Sequence, residues 1–384
     1  MPSLGKRVQG SINSTPLVGG EGTPIVLSQL LKRVIHRRGI AGAPALAVER
    51  PTLAPEPPPV VPRRDSPSVA LDAATPEQLA AAFAARIRDL PGNPFTQLFD
   101  EAGFHLLRKH YYVPLPELSD IAPGDWSKPS RMAGVDMNAP AALELMDTVL
   151  PPYLAEFRAR FPIHAPPDKK GFYLINATYM AVDAHVLYGL VRHAKPRRIV
   201  EIGNGASTMI AVAAAETNRA EGHPVEVISI DPYPTPTFAN GYPGLSELIP
   251  KKVQDVPTSL FESLGENDIF FIDSSHVLRT GNDVQHIYMD LLPILNNGVY
   301  VHVHDISLPL PYPKAYFDMQ LYWNEQYLLQ SFLMFNSRYK VIWPGNYMMV
   351  NYPDKMMSVF PEIGDMRAIW KSSEPTAFWM RVGA

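Results

Sequence analysis

Arg198-Ile199-Val200-Glu201-Ile202-Gly203-Asn204-Gly205-Ala206-Ser207-Thr208 is the stretch that decides the fold. A β-branched run ends in an acid, two glycines follow with one residue between them, and small residues then open a helix. The order predicts a strand, a tight turn and a helix. Glycines at such a turn let a ligand approach backbone that a side chain would shield. The helix over 206–219 brings free N–H groups and the positive end of its dipole to the same place.

The text downstream repeats this alternation. Strands are expected at 199–203, 226–231, 252–256, 268–273, 299–305, 339–343 and 377–381. Helices are expected at 179–193, 207–219, 281–295 and 315–336. The strands read as continuous apolar runs, as in Ile269-Phe270-Phe271-Ile272, which suits a parallel sheet covered on both faces. We therefore expect a doubly wound α/β domain with a mostly parallel seven-stranded sheet over 176–384. Upstream, 71–175 reads as a helical and irregular extension, and as a candidate substrate cap. Thr75-Pro76-Glu77-Gln78 is a capping box with proline at the first helical position. Asn138 is placed to cap a further helix. Tyr111 and Tyr112 suit either a lid or packing of the extension. Residues 1–70 hold eleven prolines and read as a disordered tail. Within it, Leu27, Leu30, Leu31, Val34 and Ile35 form one short basic amphipathic helix, suited to a membrane surface, a partner or its own domain.

Composition narrows the function. Of 384 residues 46% are hydrophobic and 19% charged, enough for a large core. A net charge of −4 argues against nucleic-acid binding. Cysteine is absent, so no thiol nucleophile or thiolate metal site exists, and a cytoplasmic setting is expected. No apolar run approaches a transmembrane segment, and no secretory signal is read at the N-terminus. A homo-oligomer is compatible with the composition.

In doubly wound sheets ligands bind beyond the carboxyl ends of the strands, where the strand order reverses. Here those ends are polar: Glu201 to Gly205, then Asp231, then Asp273-Ser274-Ser275-His276, then His302-Val303-His304-Asp305. A dinucleotide fingerprint needs a third small residue where Thr208 stands, and no phosphate loop is present. What remains is E-x-G-x-G followed by Asp231, an acid placed to accept ribose hydroxyls. Glu201 is placed to face a cationic or amino-bearing ligand end.

This pattern resembles the class I S-adenosylmethionine-dependent methyltransferases. Phe270–His276, Gly281-Asn282-Asp283-Val284, Val301–Ile306, Pro311-Tyr312-Pro313, Trp323–Tyr327 and Phe378–Arg381 are similar to a bacterial, methyltransferase family 24-like subgroup. The resemblance reaches back to about residue 104 and implies a Rossmann-like methyltransferase fold. It implies S-adenosylmethionine as cofactor, with Gly203 and Gly205 at its methionine part and Glu201, Asn204 and Ser207 among the cofactor-binding residues. It also implies Asp231 at the ribose, and Asp255 or Gln254 at the adenine.

Asp273, His276, His304 and Asp305 form a second constellation at neighbouring strand tips. Three uses are open. His304 or His276 serves as general base on an acceptor hydroxyl, oriented by an acid. Asp273, His304 and Asp305 hold a divalent ion that lowers the acceptor's pKa. Or the residues merely cap strands. His304 stands where related metal sites carry an acid, which shifts the expected ion from Mg²⁺ toward Mn²⁺, Fe²⁺ or Zn²⁺. His302 is expected to be a buried structural histidine. Trp323, Tyr327, Phe332 and Phe335 are expected in the core, with Asn324 and Glu325 as candidates to face the cleft. The expected activity is O-methylation of a small-molecule or glycan-linked hydroxyl. The alternatives are an aminopropyl-type transferase on the same scaffold, or a non-catalytic interaction module.

Overall fold

The computed structural model describes residues 74–87, 95–107, 109–167 and 171–383. The proline-rich stretch 1–70 and its basic helix lie outside them. The described residues form two compact units, one ending at Pro116 and one starting at Glu117. In the first, the helix Pro76–Ile87 starts as expected: Gln78 N–H donates to Thr75 Oγ1 at 3.3 Å and Thr75 N–H to Gln78 Oε1 at 2.9 Å. Phe83 packs its ring against Phe95 and Phe99.

The second unit is built on a seven-stranded sheet. Its strands are β1 (Arg198–Ile202), β2 (Glu226–Ile230), β3 (Glu247–Ile249), β4 (Ile269–Ile272), β5 (Tyr300–Val303), β6 (Tyr339–Pro344) and β7 (Phe378–Val382). Their order is β3-β2-β1-β4-β5-β7-β6. The first five are parallel, and β7 runs antiparallel to both β5 and β6. The chain leaves β1 toward β2 and β3, then returns to β4 on the other side. The reversal therefore lies between β1 and β4, beside the glycine turn.

Side chains alternate across the sheet. Ile199, Ile269 and Phe271 enter a core covered by the helices Asp183–Ala194 and Ala206–Ala220. Val200, Phe270 and Ile272 enter the opposite core, under the helices that begin at Asp283 and Glu325. This two-sided burial is why the strands read as unbroken apolar runs. Leu145, Leu154 and Phe157, upstream of the sheet, share the first core with Ile199.

Local expectations fail where a tertiary contact wins. The strand expected at 252–256 is a turn, Val253–Asp255, and β3 lies earlier. Val253 and Val256 are both buried; a spacing of three suits a tight turn and not a pleat. The helix expected over 315–336 divides into Lys314–Asp318 and Glu325–Leu333. Gln320, at φ 60°, ends the first piece. Asn138 sits at φ 46° and does not cap its helix; its amide donates instead to Val341 O at 2.7 Å. Tyr327 and Phe335 are exposed, not core. Three short helices after β6, Gly345–Asn351, Pro353–Val359 and Glu362–Ile369, escape sequence reading because Gly345, Pro353 and Pro361 look like breakers. Among the described residues no helix is long and apolar enough to cross a membrane.

Candidate active site

The turn after β1 is held from both sides. Gly203 N–H donates to Ile230 O at 2.9 Å, and Ser229 Oγ donates to Gly203 O at 3.1 Å. Gly203 has φ +89°, and a Cβ there would lie 2.8 Å from Asp273 O. Glycine is thus required by the neighbouring strand as well as by any ligand. Gly205 differs: its φ of 172° is extended, and its N–H donates to Thr208 Oγ1 at 3.0 Å.

Polar groups line this turn. Glu201 is buried, and its Oε1 accepts from Ser207 Oγ at 2.6 Å. Its Oε2 has no hydrogen-bond partner among the described residues. Burial pushes the carboxyl up to about 8, against the pull of Ser207 and Thr208 and with the help of Asp273 and Asp231. Asn204 is buried with its amide nitrogen likewise unpartnered, while its Oδ1 accepts from Thr235 N at 3.4 Å. One open acceptor and one open donor suit a ligand end that carries both an amine and a carboxylate. Asp231 ends β2, buried, and accepts Tyr233 N–H at 2.8 Å. Asp255 is exposed, and Gln254 spends its amide on Gly281 O at 3.0 Å.

The second constellation meets at one point. Main-chain bonds align the tips: Asp273 N–H donates to Ile202 O at 3.0 Å, and His304 N–H to Ile272 O at 2.9 Å. His276 and Asp305 both sit in the left-handed region, at φ 59° and 57°. Such residues cost about 1 kcal/mol each and persist where the surroundings hold them. The fold places His276 Nε2 at 3.2 Å from Asp273 Oδ1 and 3.4 Å from Asp305 Oδ2. His304 Nδ1 lies 3.7 Å from each of the same two oxygens. Asp273 keeps 31% of its side chain exposed and Asp305 21%, so the cluster opens to solvent through its acids.

The cluster's charges sustain one another. Burial alone would lower His304, but Asp305 and Asp273, with Asp183 behind, carry it up to about 9. Against the same burial, hydrogen bonds to Asp273 and Glu325 lift His276 well above its usual range. Asp273 is held well below the usual carboxylate range because the two imidazoles outweigh its burial.

Three members were missing from the sequence-derived set of site residues. Glu325, fully buried, accepts from His276 Nδ1 at 2.9 Å and Ser274 Oγ at 2.7 Å. Its polar side chain inside an aromatic stretch marks it as a candidate to face the cleft, but nothing in the sequence names His276 as its partner. Asp183 lies 3.9 Å from His304 Nε2; it was detectable only as a lone acid in an apolar helix. Thr376 donates to Asp183 Oδ2 from N at 2.9 Å and from Oγ1 at 3.1 Å, and that hydroxyl lies 3.5 Å from both His304 Nε2 and Asp305 Oδ1. It arrives because β7 is antiparallel to β5, pairing Phe378 with Val303, and nothing local signals that. His302 is the buried structural histidine expected, packed between Phe271 and Trp379 and lowered well below its usual value by burial. Trp323, half-buried, packs its ring against His276 at a tilt of 43°, with ring centres 4.3 Å apart.

Residues 200–306 match the family model of a methyltransferase domain. An uncharacterized protein of Archaeoglobus fulgidus is 28% identical over 170 residues, which is 42% of this chain and 74% of that protein. Among solved structures, CmcI in an apo form is 15% identical, with 54% of this chain and 72% of that one covered and a TM-score of 0.28. CmcI with magnesium and S-adenosylmethionine is 17% identical, over 53% of this chain and 73% of that one, with a TM-score of 0.27. A structure from Thermobifida fusca, described as a candidate methyltransferase, is 14% identical over 68% and 98%, with a TM-score of 0.32.

Proposed function

We propose that this chain, which carries a methyltransferase domain over residues 200–306, is a class I S-adenosylmethionine-dependent O-methyltransferase. Its acceptor is a small-molecule or glycan-linked hydroxyl. One observation carries the reading: the turn at Gly203 and the acid–imidazole cluster at Asp273 and His304 meet at adjacent strand ends, bridged by the Asp273 N–H to Ile202 O bond. A ligand in the turn and a hydroxyl at the cluster are then neighbours.

The open groups of Glu201 and Asn204 fit the amino-acid end of the cofactor, and Asp231 fits its ribose hydroxyls. When bound, the cofactor supplies an electrophilic methyl group on a sulfonium. The chain's own work is to hold donor and acceptor in line and to take the acceptor's proton. We assign the proton to His304, whose Nδ1 faces the cluster. The alternative use of the same residues is that Asp273, His304 and Asp305 would hold a divalent cation, which would supply Lewis-acid lowering of the acceptor's pKa with His304 as a ligand and not as the base; one donor atom from each lies within 4.8 Å of the others. We read 176–384 as the cofactor-binding domain, and the part of the extension that lies in the same compact unit, 117–175, as shaping the acceptor side. A cysteine-free chain suits the cytoplasm.

Calorimetry with S-adenosylmethionine tests this. We expect one site per chain, with Asp231→Ala weakened at least tenfold. A wild-type protein that takes up no cofactor, or an Asp231→Ala variant that binds as well as wild type, sinks the reading and leaves a non-catalytic module.

A further inference from the structure

The geometry points to an aromatic acceptor subsite beside the acid–imidazole cluster: we propose that Trp323 and Tyr316 form a wall that takes a flat phenolic ring, and that phenols, not sugars, are the acceptor class. The proposal narrows the reading above and rests on it for the methyl transfer, not for the binding.

The sequence concentrates rings in one short stretch: Tyr312, Tyr316, Phe317, Tyr322, Trp323 and Tyr327 all fall within 312–327. Gln320, at φ 60°, reverses the chain between its two halves, and Leu321 N–H donates to Tyr316 O at 2.8 Å. Asn324 N–H and Glu325 N–H then both donate to His276 O, at 3.0 and 3.1 Å. These bonds anchor Trp323 against the His276 imidazole, with ring centres 4.3 Å apart. Tyr316 meets Trp323 at 4.7 Å and 65°, and Tyr312 meets it at 5.8 Å and 79°. From the extension, Trp126 closes on Phe317 at 4.7 Å. His276 Nε2 lies 3.4 Å from Asp305 Oδ2, so the wall begins one imidazole away from the reacting cluster. Burial and Asp305 both raise the Tyr316 hydroxyl, which places this ring beside the cluster too.

Two features of the wall select its guest. Trp323 and Tyr316 are half-buried, and they meet edge to face. Such a pair uses the face of one ring and the edge of the other, so a face is left for a further ring. The polar groups of the same stretch are already engaged. Asn324 Oδ1 accepts from Leu278 N at 2.6 Å, and the Tyr312 hydroxyl from Gln326 N at 3.2 Å. Glu325 holds His276 and Ser274, and the Gln326 amide holds Ser307 N and Leu310 O. A sugar carries a hydroxyl on almost every ring carbon, and each one covered by this wall would lose water without gaining a partner. A phenol needs a partner only for the oxygen aimed at the cluster. It also ionises near pH 10, at about the value of a tyrosine, well below a sugar hydroxyl, which eases removal of its proton.

The test is calorimetry of the full chain, without S-adenosylmethionine, against 1-naphthol and methyl glucoside. We expect one naphthol per chain, bound at least about tenfold more tightly than the glucoside, in line with the worth of one stacked ring. Trp323→Ala should weaken naphthol by about tenfold or more, while Trp323→Phe, which keeps a ring in place, should stay within about threefold of wild type. No uptake of naphthol, a glucoside bound as tightly as naphthol, or a folded Trp323→Ala variant that binds naphthol as wild type does overturns the proposal. If Trp323→Ala does not fold, Tyr316→Leu decides in its place: the same loss supports the wall, and wild-type affinity rejects it. Cofactor binding is a separate titration, so a chain that takes naphthol but no S-adenosylmethionine keeps the subsite and loses the methyl transfer.

Discussion

Gly203 answers two demands with one residue. Its backbone sits at φ +89°, and the Asp273 carbonyl leaves no room for a Cβ. Gly203→Ala should therefore cost about 2 kcal/mol of stability and weaken S-adenosylmethionine at least tenfold, because relief of the clash moves β1 and β4 apart. Denaturant melts and calorimetry on the same sample check both parts; unchanged affinity in a destabilised protein would confine Gly203 to the fold. His304 sets a different test. Held up to about 9 by Asp305 and Asp273 against its burial, it is protonated below that value and cannot accept a proton. The rate should then rise about tenfold per pH unit toward pH 9 and level beyond it. A profile flat from pH 6.5 to 8.5, or a His304→Gln variant with the wild-type slope, would remove this imidazole from proton transfer.

Arg192 shows how the helices are fixed over the sheet. Its side chain is 5% exposed and donates to Glu156 Oε1 at 2.9 Å and to Glu221 Oε1 at 2.5 Å, with Asn218 as a third partner. It ties the helix Asp183–Ala194 to the helix Pro151–Arg160 and to the end of Ala206–Ala220. Arg192→Ala leaves the buried Asn218 Oδ1 unpaired while Glu156 and Glu221 turn to solvent, and should cost about 1–3 kcal/mol. Cofactor affinity should stay as it is, since Arg192 lies at the other end of both helices from the turn; a matching loss of affinity would contradict that separation. Such ties are invisible in sequence, and they mark where legibility ends. Strands β1, β2, β4 and β5 were readable because an apolar run closing on a polar tip has few other meanings, and those tips held most of the site. β3 was misplaced because three residues carry no period. The helix over 315–336 was read as continuous because the apolar spacing persists across Gln320, whose reversal delivers Glu325 to His276. Asp183 and Thr376 depend on strand order, which no local pattern encodes.

The charge pairs that bind the C-terminal helices to the rest of this unit make its stability depend on pH. Glu362 lies at the start of the helix Glu362–Ile369 and accepts from Arg158 Nε at 2.5 Å, with His185 Nε2 at 3.7 Å. Burial would raise its carboxyl, but His185 and Arg158 outweigh that and hold it well below the usual range. His185, fully buried between Phe157 and Phe360, is lowered by that burial despite Glu362. Both folded values therefore lie below the unfolded ones. For each group the stabilisation is present above the unfolded value and is lost as pH falls toward the folded one. The loss should begin below about pH 6.5 as His185 is driven to charge, and steepen below about pH 4.3 as Glu362 is protonated. Glu362→Gln removes the carboxylate that compensates Arg158 and should cost about 2 kcal/mol at pH 7. It should also flatten the acid limb, because the variant has no such charge to lose. Urea midpoints of the two proteins from pH 3.5 to 8 give the comparison. Parallel curves across that range would show that the Arg158–Glu362 pair does not couple this interface to pH.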